Sequence, residues 1–349
     1  MIHYILQITM QGLQNLGSTC AINSLIQIIC RTPHLRDIIL DIQDVPENTI
    51  SCQLKEIINM MHNQGHSLSP KKFIGHLYRH FDGIFRQGEQ LDICELWMFL
   101  YDRIASECGK PIDYTPGLSE CINIHNLTND TLASCQELHH LCNATMHKLN
   151  DKKDSKWLQS AQGIMLNMIK CNMCHNINYN FEPFTVIPLD LPTDSNKATI
   201  SSMFRDYLKT QEACGDWKCE KCNAFTPYVK FVKIWKMPPV LVFVIKRFAD
   251  MHVKNTKPVY INTSLNIKKN SVITNMHSDI QYACNAFGLH FGGLSGGHYC
   301  ALCKTQDRWL LYDDLNIAEI QDPTSFFEGN QNTYMVMYSA TIVDYLQRN

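Results

Sequence analysis

Charge is scarce in this 349-residue sequence: Asp, Glu, Lys and Arg together make up 18%, and the formal net charge is −2. No block of like charge occurs, which excludes a polybasic membrane patch and a charged tail. So even a balance also excludes a nucleic-acid partner recruited by electrostatics. Long apolar runs are missing too. The longest, VLVFVI after Pro238-Pro239, is far short of a bilayer span. The N-terminal MIHYILQITMQ has no basic region, and its apolar run is too short for a secretory signal. There is no internal repeat and no low-complexity tract, which excludes a repeat architecture.

Cysteine, by contrast, is abundant, with 16 residues. In a short secreted chain these would suggest a disulfide framework. In a chain of this length they point to reduced thiols, metal ligands or a nucleophile. Four glycosylation-type triplets, at Asn126, Asn129, Asn143 and Asn262, point the other way, but such triplets arise often by chance in Asn-rich sequence. The chain reads as an intracellular, soluble monomer of the cytoplasm, the nucleus or both, with neither nucleic acid nor membrane as partner.

Residues 1 to about 160 carry mainly helical patterns. Ile22, Leu25, Ile26 and Ile29 fall at i, i+3, i+4 and i+7, which predicts an amphipathic helix that begins after Ser18-Thr19 and ends near Arg31, before Pro33. CQLKEIINMMHN, SPKKFIGHLYRHF and DICELWMFLYDRIASE read as further helices, the second with Ser69 as its cap and Pro70 at its first position. From about residue 164 the pattern changes to strands rich in β-branched and aromatic residues: FTVIPLDL, YVKFVKIW, VLVFVIKRF, YACNAFGLHF, HYCALCK, RWLLYDD and YMVMYS. Residues 107–150 read as a loop-like insertion followed by a helix. The fold class is α+β, a helical lobe against a largely antiparallel sheet.

Two stretches far apart carry nucleophile chemistry. In QGLQNLGSTCAINSLIQ, Cys20 falls in the first turn of the first helix, with Thr19 or Ser18 as cap. Unpaired backbone N–H groups and the positive end of the helix dipole favour a thiolate there, and one such N–H can stabilise an oxyanion. In HFGGLSGGHYCAL, His298 opens a strand after Gly292, Gly293, Gly296 and Gly297, residues that let another backbone approach closely. RWLLYDD then offers Asp313 and Asp314, either of which can reach the imidazole from a neighbouring strand. Nucleophile, base and orienting carboxylate are thus all available. Taken alone, Cys20 reads better as a small buried residue, as Cys30, Cys94 and Cys108 do.

Together these stretches resemble the cysteine and histidine boxes of the ubiquitin-specific proteases. EQLDICELWMFL is similar to the family's Gln-Gln-Asp-Ala-x-Glu-Phe-Leu segment, and YVKFVKIWKMPPVLVFVIKRF to the strand pair that precedes the histidine box. The matches run in family order from residue 12 to about 339, leaving 107–150 unmatched. The resemblance implies Cys20 as nucleophile, His298 as base and Asp313 as its orienter. It implies Asn15 as a side-chain donor to the oxyanion, with Asp314 as a possible auxiliary. The chain departs from the family at Ala21-Ile22, where Tyr-Met is usual, and at Leu91, where the second Gln is usual.

CNMC (Cys171, Cys174) and CEKC (Cys219, Cys222) form two CxxC pairs that suit a four-thiolate zinc site, and the family carries paired knuckles in matching places. One structural Zn2+ per chain is expected, in preference to a redox pair, since no βαβ redox unit is nearby. Cys135, His139, His140, Cys142 and His147 form a second cluster that ordinary packing of a helix explains. Cys214 reads as a loop residue.

The resemblance implies a papain-like cysteine protease fold in three parts of one catalytic domain. These are a helical thumb over 1–160 with Cys20, zinc-bearing β fingers over 161–240, and an antiparallel palm over 241–349 with His298 and Asp313. The implied activity is hydrolysis of the isopeptide or peptide bond at the C-terminal glycine of ubiquitin, with ubiquitin and ubiquitinated proteins as partners. Gly293, Gly296 and Gly297 would line a narrow channel for the di-glycine tail, with Asp92 and Glu95 beside it for basic residues of that tail; both carboxylates read equally as helix-capping or surface groups. The alternatives are an idle ubiquitin-binding scaffold, or a protease for another modifier with a di-glycine tail.

Overall fold

The computed structural model describes residues 11–63, 68–112, 132–194, 197–209, 211–213, 217–248, 253–268, 279–293 and 296–341. Asn126, Asn129, Cys214 and the N-terminal segment read above as no signal lie outside these residues. Five helices make the first lobe: α1 (Cys20–Arg31), α2 (Pro33–Leu40), α3 (Ile50–Asn63), α4 (Lys71–His80) and α5 (Ile93–Cys108).

The first helix differs from its sequence pattern. It spans the expected residues and carries the expected apolar face, yet all twelve residues are buried, so its polar face is enclosed as well. It packs between α2 and α5 on one side and the strands Ile280–Gly293 and Gly296–Thr305 on the other. Two of its polar residues, Gln27 and Arg31, meet partners from segments distant in sequence. Gln27 Nε2 donates to Gln11 O at 2.8 Å, and Arg31 lies 5.2 Å from the centre of the Tyr312 ring. A buried polar side chain costs far less when so paired. Neither expected cap forms in the expected way. Thr19 is the capping residue, but its side chain bonds Leu16 and Asn15 instead of the helix.

Local boundaries shift for identifiable reasons. At Thr32 the backbone becomes extended, and Pro33 then opens α2 as its first residue, where a missing N–H costs nothing. Helix α4 starts one residue later than expected, with Pro70 at the cap position. The start of α3 is capped from far away in sequence, Glu107 accepting from Ile50 N at 3.1 Å and Ser51 N at 2.8 Å.

The large sheet has eight strands. In spatial order the path runs Asn316–Ile320, Arg308–Asp313, Gly296–Thr305, Ile280–Gly293, Thr333–Ala340, Val240–Ile245 and Ile187–Leu189, with Ser264–Ile267 also paired to Ile280–Gly293. Every pairing is antiparallel except that of Val240–Ile245 with Ile187–Leu189. VLVFVI is the strand whose alternation separates two cores. Val240, Val242 and Val244 join the core shared with the helices, while Leu241, Phe243 and Ile245 join the core on the opposite face. Burial on both faces explains why it reads as an unbroken apolar run.

A second, four-stranded sheet runs Ile177–Phe184, Gly163–Cys171, Tyr228–Lys236 and Gln211–Ala213. The helix Leu132–Leu149 packs on it, placing Cys142 beside Trp235 and Ile164. Among the described residues, no helix is long and apolar enough to cross a membrane.

Candidate active site

Strand register assembles one half of the site. Gly296–Thr305 pairs with Arg308–Asp313, Ala301 facing Tyr312. One step further along the ladder Cys300 comes opposite Asp313, and His298 lies diagonally on the same face, since alternate strand residues share a face. The His298 Nε2 to Asp313 Oδ1 distance is 2.6 Å. A carboxylate only accepts, so Nε2 carries the proton and Nδ1 keeps its lone pair for a proton arriving from a nucleophile. Both side chains are partly open to solvent.

Cys20 supplies the other half from the start of α1, which packs against the same strand and brings the sulfur near the Tyr299 backbone. Burial pushes the thiol up from its ordinary value. The Tyr299 backbone contact pulls it down, the charge of Asp314 pushes it up, and the backbone groups of Ala21 and Cys20 pull it down. The helix start does favour the thiolate, but burial and Asp314 outweigh it. The net direction is upward, against the shift expected from the helix start.

Asp314 takes up a different task from Asp313. Its backbone is left-handed at φ 50°, which turns the chain at the end of the strand and points the two neighbouring carboxylates apart. Oδ2 accepts from Asn15 Nδ2 at 2.8 Å, Oδ1 accepts from Asn23 Nδ2 at 2.7 Å, and the backbone carbonyl accepts from Leu13 N at 2.8 Å. Asn15 Oδ1 in turn accepts from Gly17 N at 2.9 Å and Thr19 Oγ1 at 3.2 Å. The amide is thereby fixed in orientation, one N–H held by Asp314 and the other left to donate. Asn23 was not singled out from the sequence, although its place one turn after Cys20 puts it beside the same segment.

The glycines play separate parts. In the hairpin Gly292 faces Gly297 and Gly293 faces Gly296. A side chain at Gly293 or Gly296 would enter open space, whereas a Cβ at Gly297 would lie 2.1 Å from His290 Nε2. Gly297 is thus demanded by the fold itself, and only the other two are open to a visiting chain. Asp92 caps α5, its Oδ1 accepting from Cys94 N at 2.8 Å and Glu95 N at 3.0 Å, and its Oδ2 accepting from Tyr334 OH at 2.6 Å. Of its two readings the geometry supports the capping carboxylate. Glu95 is exposed on the first turn of α5.

The four knuckle cysteines converge, their sulfurs all within 4.8 Å of one another. Cys171 and Cys222 sulfurs are 3.9 Å apart, and those of Cys174 and Cys219 3.6 Å. Thiolates around a tetrahedral ion with bonds of about 2.3 Å sit about 3.8 Å apart, so the donor set fits zinc. Each CxxC turn is closed by a left-handed residue, His175 at φ 59° and Asn223 at φ 52°.

The second cluster stays apart from any such centre. His139 packs edge-on against Trp235 at 4.8 Å, His147 Nε2 lies 3.0 Å from Ile112 O, and Cys142 is buried in the small core. His140 is exposed on the same helix, and the Cys135 side chain lies outside the described residues.

The family model described as ubiquitin carboxyl-terminal hydrolase matches residues 11–338. The chain is 25% identical over 372 residues to ubiquitin carboxyl-terminal hydrolase 4 of Saccharomyces cerevisiae, covering 94% of this chain but only 39% of that one. It is 25% identical to ubiquitin carboxyl-terminal hydrolase 4 of Arabidopsis thaliana, covering 94% of this chain and 93% of the relative. It is 29% identical to ubiquitin carboxyl-terminal hydrolase 12 of Salmo salar, covering 88% and 81%. Among solved structures, that of the SAGA Ubp8/Sgf11/Sus1/Sgf73 DUB module bound to ubiquitin aldehyde superposes with a TM-score of 0.70 at 19% identity, covering 99% of this chain and 72% of that one. That likeness establishes the fold.

Proposed function

The chain belongs to the ubiquitin carboxyl-terminal hydrolase family, and on that premise we propose that it is a cysteine-type deubiquitinase with ubiquitin and ubiquitinated proteins as its partners. The observation that carries the reading is the 2.6 Å contact between His298 Nε2 and Asp313 Oδ1, on the strand against which Cys20 is packed. A nucleophile, a base and an orienter argue against an idle scaffold.

In this mechanism Asp313 holds the imidazole with Nδ1 as the basic nitrogen. His298 takes the Cys20 proton as the sulfur attacks the carbonyl of the terminal glycine. The oxyanion receives the Cys20 backbone N–H and the second amide hydrogen of Asn15, which Asp314 orients. His298 then gives its proton to the leaving amine, leaving a thioester. It next takes a proton from water as the water oxygen attacks that thioester; the C–S bond breaks, His298 returns the proton to the Cys20 sulfur, and the ubiquitin carboxylic acid leaves as a carboxylate after losing its proton to solvent.

The helical lobe serves as thumb, the four-stranded sheet as fingers and the eight-stranded sheet as palm, with approximate boundaries at 160 and 240. Cys171, Cys174, Cys219 and Cys222 would hold a structural zinc that ties the two knuckles together and supplies no chemistry to the reaction. The di-glycine tail would run past Gly293 and Gly296, where the backbone stands open. The many free thiols suit a monomer working in the cytoplasm or nucleus.

The test is to offer the protein ubiquitin and a panel of ubiquitin-like proteins, each with a thiol-reactive C-terminal group. An adduct with ubiquitin at Cys20, absent in Cys20→Ala, is expected. Preferential capture of another modifier would overturn the substrate, and no adduct with any of them would overturn the enzyme.

A further inference from the structure

Apart from the four knuckle thiols, one other group of His, Cys and Asp among the described residues brings three ligand atoms together: those of His298, Cys300 and Asp313, all within 4.8 Å of one another. Cys300 has no part in the proposed hydrolysis. It is buried, its sulfur lies within 4.8 Å of an Asp313 carboxylate oxygen, and it arrives there because the ladder sets it opposite that residue. His298 and Asp313, in contrast, have 40% and 45% of their side chains exposed, so an ion can reach the group from solvent.

We propose that His298 Nε2, Cys300 Sγ and Asp313 form a second, reversible zinc site that switches the proposed hydrolase off. One nitrogen, one sulfur and one carboxylate oxygen are a donor set that zinc accepts, with a water as fourth ligand. Nitrogen and oxygen ligands on one tetrahedral zinc sit about 3.3 Å apart, so the 2.6 Å contact between His298 and Asp313 opens modestly to admit the ion.

The consequence follows from the tautomer. Without the ion, Nε2 holds the imidazole proton for Asp313 and Nδ1 is the base. Zinc on Nε2 moves that proton to Nδ1, so the nitrogen that must take the Cys20 proton already carries one. The Cys300 thiol loses its proton to solvent on binding, one proton released per ion. The inhibition is reversible because no covalent bond of the protein changes.

Zinc binding at this site is separable from the proposed activity, although the inhibitory consequence rests on it. With the knuckle site loaded with zinc, cobalt(II) is titrated into the whole protein and the thiolate-to-cobalt absorption recorded. One further cobalt per chain is expected in the wild type and in Cys20→Ala, and none in Cys300→Val. Asp313→Asn, at an exposed position, should weaken binding roughly tenfold or more, and carries the test if Cys300→Val fails to fold. No cobalt band in the wild type, an unchanged band in Cys300→Val, or a band lost in Cys20→Ala would each overturn the site. In the activity arm, Cys300→Val should need roughly tenfold or more zinc for half-inhibition of ubiquitin hydrolysis, and equal zinc sensitivity would overturn the switch. Absence of hydrolysis in metal-free wild type would count against the hydrolase and leave the cobalt result standing.

Discussion

The side-chain amide of Gln90 clasps the backbone of Gly297: Nε2 donates to the carbonyl at 2.8 Å and Oε1 accepts from the amide N–H at 2.8 Å. Gln90 lies two residues before the cap of α5, and Gly297 immediately precedes His298. The clasp therefore ties the helical lobe to the strand that carries the base. Gln90→Ala should cost little stability, because both bonds are exposed to solvent. It should let the start of that strand wander and lower kcat/KM about tenfold, since a base displaced by a fraction of an ångström loses much of its effect. Thermal melting beside steady-state kinetics separates the two. A matched loss of both would make the clasp merely structural.

The two aspartates should fail differently. If Asp313 orients the imidazole as proposed, Asp313→Ala should lower kcat about 10²-fold or more with KM little changed. Asp314 faces Asn15 and Asn23, and Asp314→Ala should lower kcat by a smaller factor. A larger loss at Asp314 in a side-by-side kinetic comparison would transfer the orienting role.

Much of this was legible in the sequence. Period-two strands marked members of the large sheet, and the CxxC pairs marked the cysteines that converge, because those patterns are local. Contacts between distant segments were hidden. Asn23 and Gln27 look like the outer face of α1 until residues 11–15 and Asp314 are folded over them. Glu107 looks like a surface carboxylate on α5, yet it caps α3. Cys300 becomes a neighbour of Asp313 only through register, which no short window of sequence reveals.

Zinc content gives a prediction independent of catalysis. Protein prepared without chelator should carry one tightly held zinc per chain, and Cys219→Ser should lose it. The eight-stranded sheet and the His298–Asp313 pair belong to a different sheet from the knuckles, so the variant should keep its triad while docking ubiquitin more weakly. Elemental analysis and binding to a catalytically dead form would decide. No zinc in the wild type would remove the centre.

Glycine substitutions separate demands of the fold from demands of the substrate. Gly297→Ala sets a methyl group against His290 and should destabilise the protein by about 1–3 kcal/mol, as overpacking does. Gly296→Ala meets nothing in the free protein, so its melting temperature should be unchanged. If the di-glycine tail passes there, its KM for ubiquitin substrates should nevertheless rise severalfold. Unchanged KM would move the channel elsewhere.

Asp314 offers the sharpest separation of reactivity from catalysis. Its negative charge helps hold Cys20 above the ordinary thiol value. Removing that charge lowers the thiol pKa, so at any pH below it a larger fraction is thiolate. Asp314→Asn should therefore react faster with a small alkylating agent near neutral pH, and the rise of rate with pH should begin earlier. The same change disturbs the hold on Asn15, so if that amide serves the oxyanion as proposed, turnover of ubiquitin substrates should fall. A more reactive sulfur in a slower enzyme is the outcome that distinguishes oxyanion support from nucleophile activation. Alkylation rates across pH, measured in a background where Cys20 is identified by mass spectrometry, give the first half, and kcat gives the second. If alkylation and turnover fell together, Asp314 would act chiefly by holding the Cys20 segment in place, and the charge effect on the thiol would be the lesser of its two influences.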